Sequence, residues 1–300
     1  MQANLQLIKQ RLFDCAREGI ARDYQFNVPA TPEELSQQVL QSLDQKACAN
    51  PLDQKYDNNA IFRAVVRTLG SNSRKWTTFR SNEQKIQQIL SDFRVEGVER
   101  NPPNCFDLAR LLPDQTATAD ACAILNWAHL LSENQNYYAT VVEASDRLQH
   151  RFNEREGQYI PSHKLFLCVV AHFTDSSHGA QARKWPGMGF VLGSEFLRNL
   201  HWNGFKPDRH IKRLLNRWTN DQINVQQAME HLRHVIGHRD SALSDNLRWS
   251  LTGMEITPDD HRANFSQFDN LLWLLGAYVE RKGRESEYNY MVSEPADHPV

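Results

Sequence analysis

Cysteine is scarce and scattered: the 300 residues hold five, Cys15, Cys48, Cys105, Cys122 and Cys168. They form no CxxC pair and no Cys/His group at zinc spacing, and the grouped thiolates that an iron–sulfur cluster needs are missing. Neither a metal site nor a cofactor is expected. An odd count does not close a disulfide framework, so reduced, mostly buried thiols in a cytoplasmic protein are the expectation. Long apolar runs are missing as well. The richest stretch, residues 271–279, is too short for a membrane span and is flanked by charge. The start, Met1-Gln2-Ala3-Asn4-Leu5, has neither the basic nor the apolar region of a secretion signal. No membrane partner is expected. Nor is there an excess of one charge. Lys and Arg number 34 against 36 Asp and Glu, a formal net charge of −2, so a polyanionic partner has to be argued from local charge alone. Period-two alternation, internal repeats and low-complexity tracts are equally absent.

What remains is helical periodicity, and an all-α fold is the expectation. Leu5, Ile8, Leu12 and Ala16 recur at helical spacing, with Gly19 read as the stop. Thr31-Pro32-Glu33-Glu34 combines a cap, a first-turn proline and a capping-box acid, and Leu35, Val39, Leu40 and Leu43 follow on one face. Residues 48–59 read as loop and 61–69 as a buried helix, broken by Gly70-Ser71-Asn72-Ser73. Ser81-x-x-Gln84 reads as the start of the next helix. Further helices are expected over 106–112, 117–131, 138–152, 162–173, 191–200, 208–218, 225–236 and 265–282. The last would place Arg281 and Lys282 at its negative end and Gly283 beyond it. The hydrophobic fraction of 40% suffices for one large or two modest cores.

Two segments carry chemistry. In Trp185-Pro186-Gly187-Met188-Gly189, proline fixes one dihedral while the glycines leave backbone N–H groups bare, an arrangement that admits a phosphate. The same residues also suit a plain helix–helix turn. About 20 residues later, Lys206-Pro207-Asp208-Arg209-His210-Ile211-Lys212-Arg213 opens a basic helix behind one carboxylate. Asp208 reads as a helix N-cap. A capping Asp is held rigid where the helix dipole favours negative charge, so structural and chemical roles are compatible. Between residues 196 and 220, Arg198, Lys206, Arg209, Lys212, Arg213 and Arg217 outnumber a single acid near the helix start, a local patch suited to phosphates. His231, His234 and His238 share helical spacing but have no grouped carboxylate or thiolate. Trp127, Trp185 and Trp202 could wall a pocket, although buried indoles usually serve as core.

These two segments resemble the signature of the helix-hairpin-helix DNA glycosylase superfamily, a Leu-Pro-Gly-Val-Gly hairpin, a helix and a Val-Asp-x-His-Val-x-Arg segment. Pro186, Gly187 and Gly189 match the first part, and Asp208, His210, Ile211 and Arg213 match the second. The resemblance implies a two-lobed helical fold without an iron–sulfur cluster. Residues 61–200 would form a central lobe ending in the helix-hairpin-helix, and 1–59 with 201–283 a discontinuous second lobe, followed by a flexible tail, 284–300. DNA would lie in the cleft between the lobes. The resemblance further implies base-excision repair by a monomer acting on duplex DNA that contains a damaged base, with Asp208 as the catalytic carboxylate. Gly187, Met188, Gly189, Arg209, His210, Lys212 and Arg213 would contact DNA, and Asn72, in a loop similar to the family's, would enter the base stack. Bifunctional members carry a lysine at the start of the hairpin's second helix. Phe190-Val191-Leu192 has none, which implies a monofunctional hydrolase. Two other classes stay open: an inactive helix-hairpin-helix DNA-binding protein, and a helical interaction scaffold in which the hairpin is only a turn.

Overall fold

The computed structural model describes residues 2–43, 50–157, 160–175, 183–219, 223–236, 241–258, 264–281 and 292–293. In chain order its elements are β1 (Gln2–Ala3), α1 (Leu5–Tyr24), α2 (Pro32–Leu43), α3 (Asn58–Gly70), α4 (Trp76–Ile89), α5 (Val95–Arg100), α6 (Cys105–Arg110), α7 (Ala117–Ser132), α8 (Tyr137–Glu156), α9 (Ser162–Thr174), α10 (Phe190–Asn199), α11 (Arg209–Thr219), α12 (Gln226–Ile236), α13 (Ser241–Ile256), α14 (Phe265–Leu274) and β2 (Val292–Ser293). A π-helical turn, Leu275–Val279, continues α14. Among the described residues the fold is all-α apart from β1 and β2, which pair antiparallel through two residues each. Among the described residues no helix is long and apolar enough to cross a membrane.

The chain divides into two compact units. One comprises Ala49–Trp202, the other Met1–Cys48 with Asn203–Val300. In the first, α9 buries nearly every side chain, including Phe166, Val169 and Val170, and packs against α8 and α10. Its core continues through Phe62, Val65 and Leu69 of α3, Ile124 and Trp127 of α7, and Phe196 and Leu197 of α10. In the second, Ile8, Leu12, Leu35, Val39, Ile211, Leu214, Phe268 and Leu272 form the core. Each such side chain contributes roughly 1.5–3 kcal/mol when fully buried.

Local starts and stops explain most helix ends. Thr31 accepts a hydrogen bond from the Glu34 amide as a cap does, but the Glu34 carboxylate accepts from the Ala30 amide, one residue before the cap, rather than from Thr31 as in the reciprocal capping box expected there. Three expectations need correction. Helix α1 runs through Gly19 and stops at Gln25, which adopts a left-handed cap with φ 61°; a lone glycine costs a helix only about 1 kcal/mol. Ser81 lies inside α4, which already starts at Trp76, and its hydroxyl bonds back to the Thr78 carbonyl. The last α-helix ends at Leu274 and passes into the π-helical turn. Cys48, His238, Lys282, Gly283 and all of the expected tail except Val292 and Ser293 lie outside the described residues.

The cysteine expectation also changes. Cys105 and Cys122 form a disulfide joining the start of α6 to α7. Among the described residues the free thiols are Cys168, which is buried, and Cys15, which is exposed. Burial pushes the Cys168 thiol up in pKa, which leaves it protonated and inert. The disulfide closes a loop with a sequence separation of 17. A loop of this size restrains the unfolded chain by about 3 kcal/mol. Reduction, or the double change Cys105→Ser with Cys122→Ser, is expected to lower the urea midpoint accordingly, and an unchanged midpoint would show that the bond contributes nothing.

Candidate functional site

In the unit Ala49–Trp202 the hairpin rests on α7. Gly187 has φ +70°, and a Cβ built there would lie 2.5 Å from the Ala123 Cβ and 3.4 Å from Leu69. Only glycine fits this left-handed, close approach. The Trp127 indole donates to the Pro186 carbonyl at 3.0 Å, and the Trp185 and Met188 amides donate to the Phe173 and Trp185 carbonyls. Trp185 stacks on Phe173 with ring centroids 4.7 Å apart, so both tryptophans are core and not exposed walls. Met188 is likewise buried and its amide is already engaged by the Trp185 carbonyl, so the expected DNA contact falls to the glycines on either side. Gly187 and Gly189 are exposed. Gly189 caps α10 without a side-chain hydrogen bond, and nothing lies within 4 Å of a Cβ built on it. The first turn of α10 thus presents an uncapped, positive helix end across open space.

The same face of α7 anchors the loop after α3. Asp120, one turn before Ala123, is buried. Its carboxylate accepts from Arg74 at 2.7 Å, Thr116 at 2.8 Å and Asn72 at 3.0 Å. Arg74 also donates to the Leu69 and Gly70 carbonyls at 2.8 Å each, satisfying the end of α3. Asn72 is therefore tied down through its amide nitrogen, and the exposed tip of the loop is Ser73, at φ 56°. Asp120, Ala123 and Trp127 sit at positions i, i+3 and i+7, one stripe of α7, so a single helix sets the loop and the hairpin. The loop and the hairpin meet through Leu69.

In the other unit, the segment before α11 is held by α14. Ser266 exchanges hydrogen bonds with the Gly204 backbone, and Asp269 accepts from the Lys206 amide at 2.8 Å. Asp208 then caps α11: its Oδ1 accepts from the His210 and Ile211 amides at 2.8 and 3.0 Å. Its Oδ2 has no hydrogen-bond partner among the described residues, and the residue is only partly buried. One oxygen is fixed and the other is available.

The basic run does not form one solvated face. Arg198 is buried and paired with Glu195 at 3.1 Å. Lys212 pairs with Asp245 at 2.9 Å, an exposed bridge of small energetic weight. Arg209 is exposed, and its Nε reaches His210 Nε2 at 3.4 Å. Arg213 and Arg217 turn toward residues 276–280. His210 packs edge-on to Trp273 with centroids 5.9 Å apart. Burial lowers the His210 pKa, opposed by Asp208 and assisted by Arg213 and Arg209. The Gly276 carbonyl, which can only accept, lies 3.3 Å from Nδ1 and so faces the protonated nitrogen of the ring. Among the described residues no group of three or more His, Cys, Asp or Glu could hold a metal.

Glu280 is fully buried and pairs with Arg217 at 3.2 Å. Burial pushes its carboxyl up to about 7, against the pull of Arg217, Arg11 and Arg213. The folded protein therefore keeps a proton that the unfolded chain releases at its ordinary value of 4.5. The associated stability is fully present below 4.5 and is lost as pH rises through 7. Glu280→Gln is expected to remove this part of the pH dependence. Urea unfolding at pH 5 and pH 8 checks it, and equal losses in both proteins would refute it.

Compared with known proteins, the chain matches no family model, no curated protein and no solved structure.

Proposed function

We propose that the protein is a monofunctional base-excision DNA glycosylase, hydrolysing the N-glycosidic bond of a damaged base flipped out of duplex DNA. The observation that carries this reading is the state of Asp208: a carboxylate clamped through one oxygen by two backbone amides and presenting the other. The bond between C1′ and the base breaks with its electron pair going to the base, and positive charge develops on the sugar. A fixed anion stabilises that charge and orients the water that adds to C1′. One water proton is released and the departing base gains one. The base has to leave the stack to be reached.

The hairpin supports the same reading from the binding side. Exposed Gly187 and Gly189 at an uncapped helix end suit a phosphate, and the α3–α4 loop on the same α7 scaffold suits contact with the duplex. The first turn of α10, Phe190-Val191-Leu192, holds no lysine for a Schiff base, which favours hydrolysis over strand cleavage.

The test is a panel of duplexes, each holding one damaged base, with products developed in hot alkali. Strand breaks appearing only after alkali are the expected result. Breaks without alkali would indicate lyase chemistry. DNA binding without product would favour an inactive binder, and no binding would reduce the hairpin to a turn.

A further inference from the structure

Positions His210, Arg213 and Arg217 of α11 lie at i, i+3 and i+7, on one face. All three side chains reach the π-helical turn and the residue after it. Arg213 Nη2 donates to the Gly276 carbonyl at 2.6 Å and to the Glu280 carbonyl at 2.8 Å. His210 Nδ1 meets the same Gly276 oxygen at 3.3 Å, and Arg217 pairs with the Glu280 carboxylate. Helix ends leave carbonyls without intrahelical donors and carry partial negative charge, so a guanidinium is the fitting partner. Gly276 allows the approach: a Cβ there would stand 3.0 Å from the His210 Cβ. His210 also supplies one of the two amides that hold Asp208 Oδ1. The residue that docks on the turn is thus the residue that grips the carboxylate.

We infer that Arg213, acting with His210, is a positioning residue for Asp208: it seats the first turn of α11 on the Gly276–Glu280 turn and so aims the carboxylate. Its consequence for catalysis rests on the glycosylase reading, whereas the seating itself does not. This role differs from the phosphate contact that the basic run suggests, and the two make opposite forecasts. A residue that neutralises a phosphate contributes about one unit to the salt dependence of DNA binding. A residue that seats Asp208 contributes none.

The experiment uses the full chain with Arg213→Met and Arg213→Lys. The lysine variant keeps the charge but cannot bridge two carbonyls with one planar group, and it serves if the methionine variant fails to fold. Amide exchange at His210 and Ile211 is expected to quicken about tenfold in Arg213→Met and by a smaller factor in Arg213→Lys, since each tenfold step reflects a modest loss of local protection. The salt slope for binding an undamaged duplex should stay unchanged. Single-turnover excision should fall at least tenfold with duplex affinity within about twofold, the pattern of lost transition-state interactions. Unchanged exchange in the folded variants, or a salt slope reduced by about one, overturns the inference. If the wild type excises nothing, the glycosylase reading fails, and the exchange measurement alone decides whether Arg213 seats α11.

Discussion

If the protein is the glycosylase proposed above, Asp208→Asn is expected to slow base excision by more than about a hundredfold while leaving folding and duplex binding nearly intact. Asparagine caps helices about as well as aspartate, so its side-chain oxygen can still accept from the His210 and Ile211 amides. The capped turn survives and the charge is lost. Removing one preorganised electrostatic partner of a transition state costs on the order of 10²–10³ in rate, and a full negative charge beside an oxocarbenium-like sugar should exceed the lower figure. The measurement is single-turnover release of base from whichever damaged duplex yields an abasic product with the wild type, alongside unfolding and DNA affinity. Excision at the wild-type rate would reduce Asp208 to a cap. A parallel collapse of stability would mean that the introduced carboxamide fails to cap, and Asp208→Ser, a comparable cap without charge, would then separate the two effects.

Most helices and the cap residues are open to a reading of the chain because they are local, although α5 and α13 have no counterpart among the expected helices. Thr31 and Glu34 meet across one turn, and Asp208 reaches amides two and three residues on. The errors were local competitions: Gly19 signalled a stop, but nothing nearby forces one, whereas Gln25 takes the left-handed cap. What could not be read is whatever joins distant segments. The bonds of Arg74 to Asp120 and of Arg213 to Glu280 span 46 and 67 residues. A faint signal did exist for Asp120, an acid placed among Ala117, Ala121, Ile124 and Trp127. An isolated carboxylate on an apolar helix face needs a buried partner, and Arg74 is that partner. The arginines of α11 show the same limit: charge counted along a helix says nothing about which face points inward, so Arg209 is exposed while Arg213 and Arg217 turn toward residues 276–280.

The two hairpin glycines should separate stability from binding. Gly187→Ala places a methyl in a left-handed conformation, which costs about 1–2 kcal/mol, and drives it into Ala123, where overpacking adds roughly 1–3 kcal/mol. A large fall in the urea midpoint is expected, and under the proposed function DNA binding falls with it as the hairpin shifts. Gly189→Ala meets neither obstacle: φ is −90° and no atom lies within 4 Å of the new Cβ. Its stability should stay within about 0.5 kcal/mol of wild type. If a phosphate approaches the bare amides there, the methyl occupies its path, and affinity should weaken roughly tenfold, the equivalent of one modest hydrogen bond. Ala123→Gly supplies the internal control, because deleting the methyl beneath Gly187 should recover part of the stability lost in Gly187→Ala, a coupling that only touching residues show. Gly189→Ala binding at full strength would mean that the hairpin is a turn and nothing more. Weak binding without lost stability would instead place the DNA backbone at the start of α10.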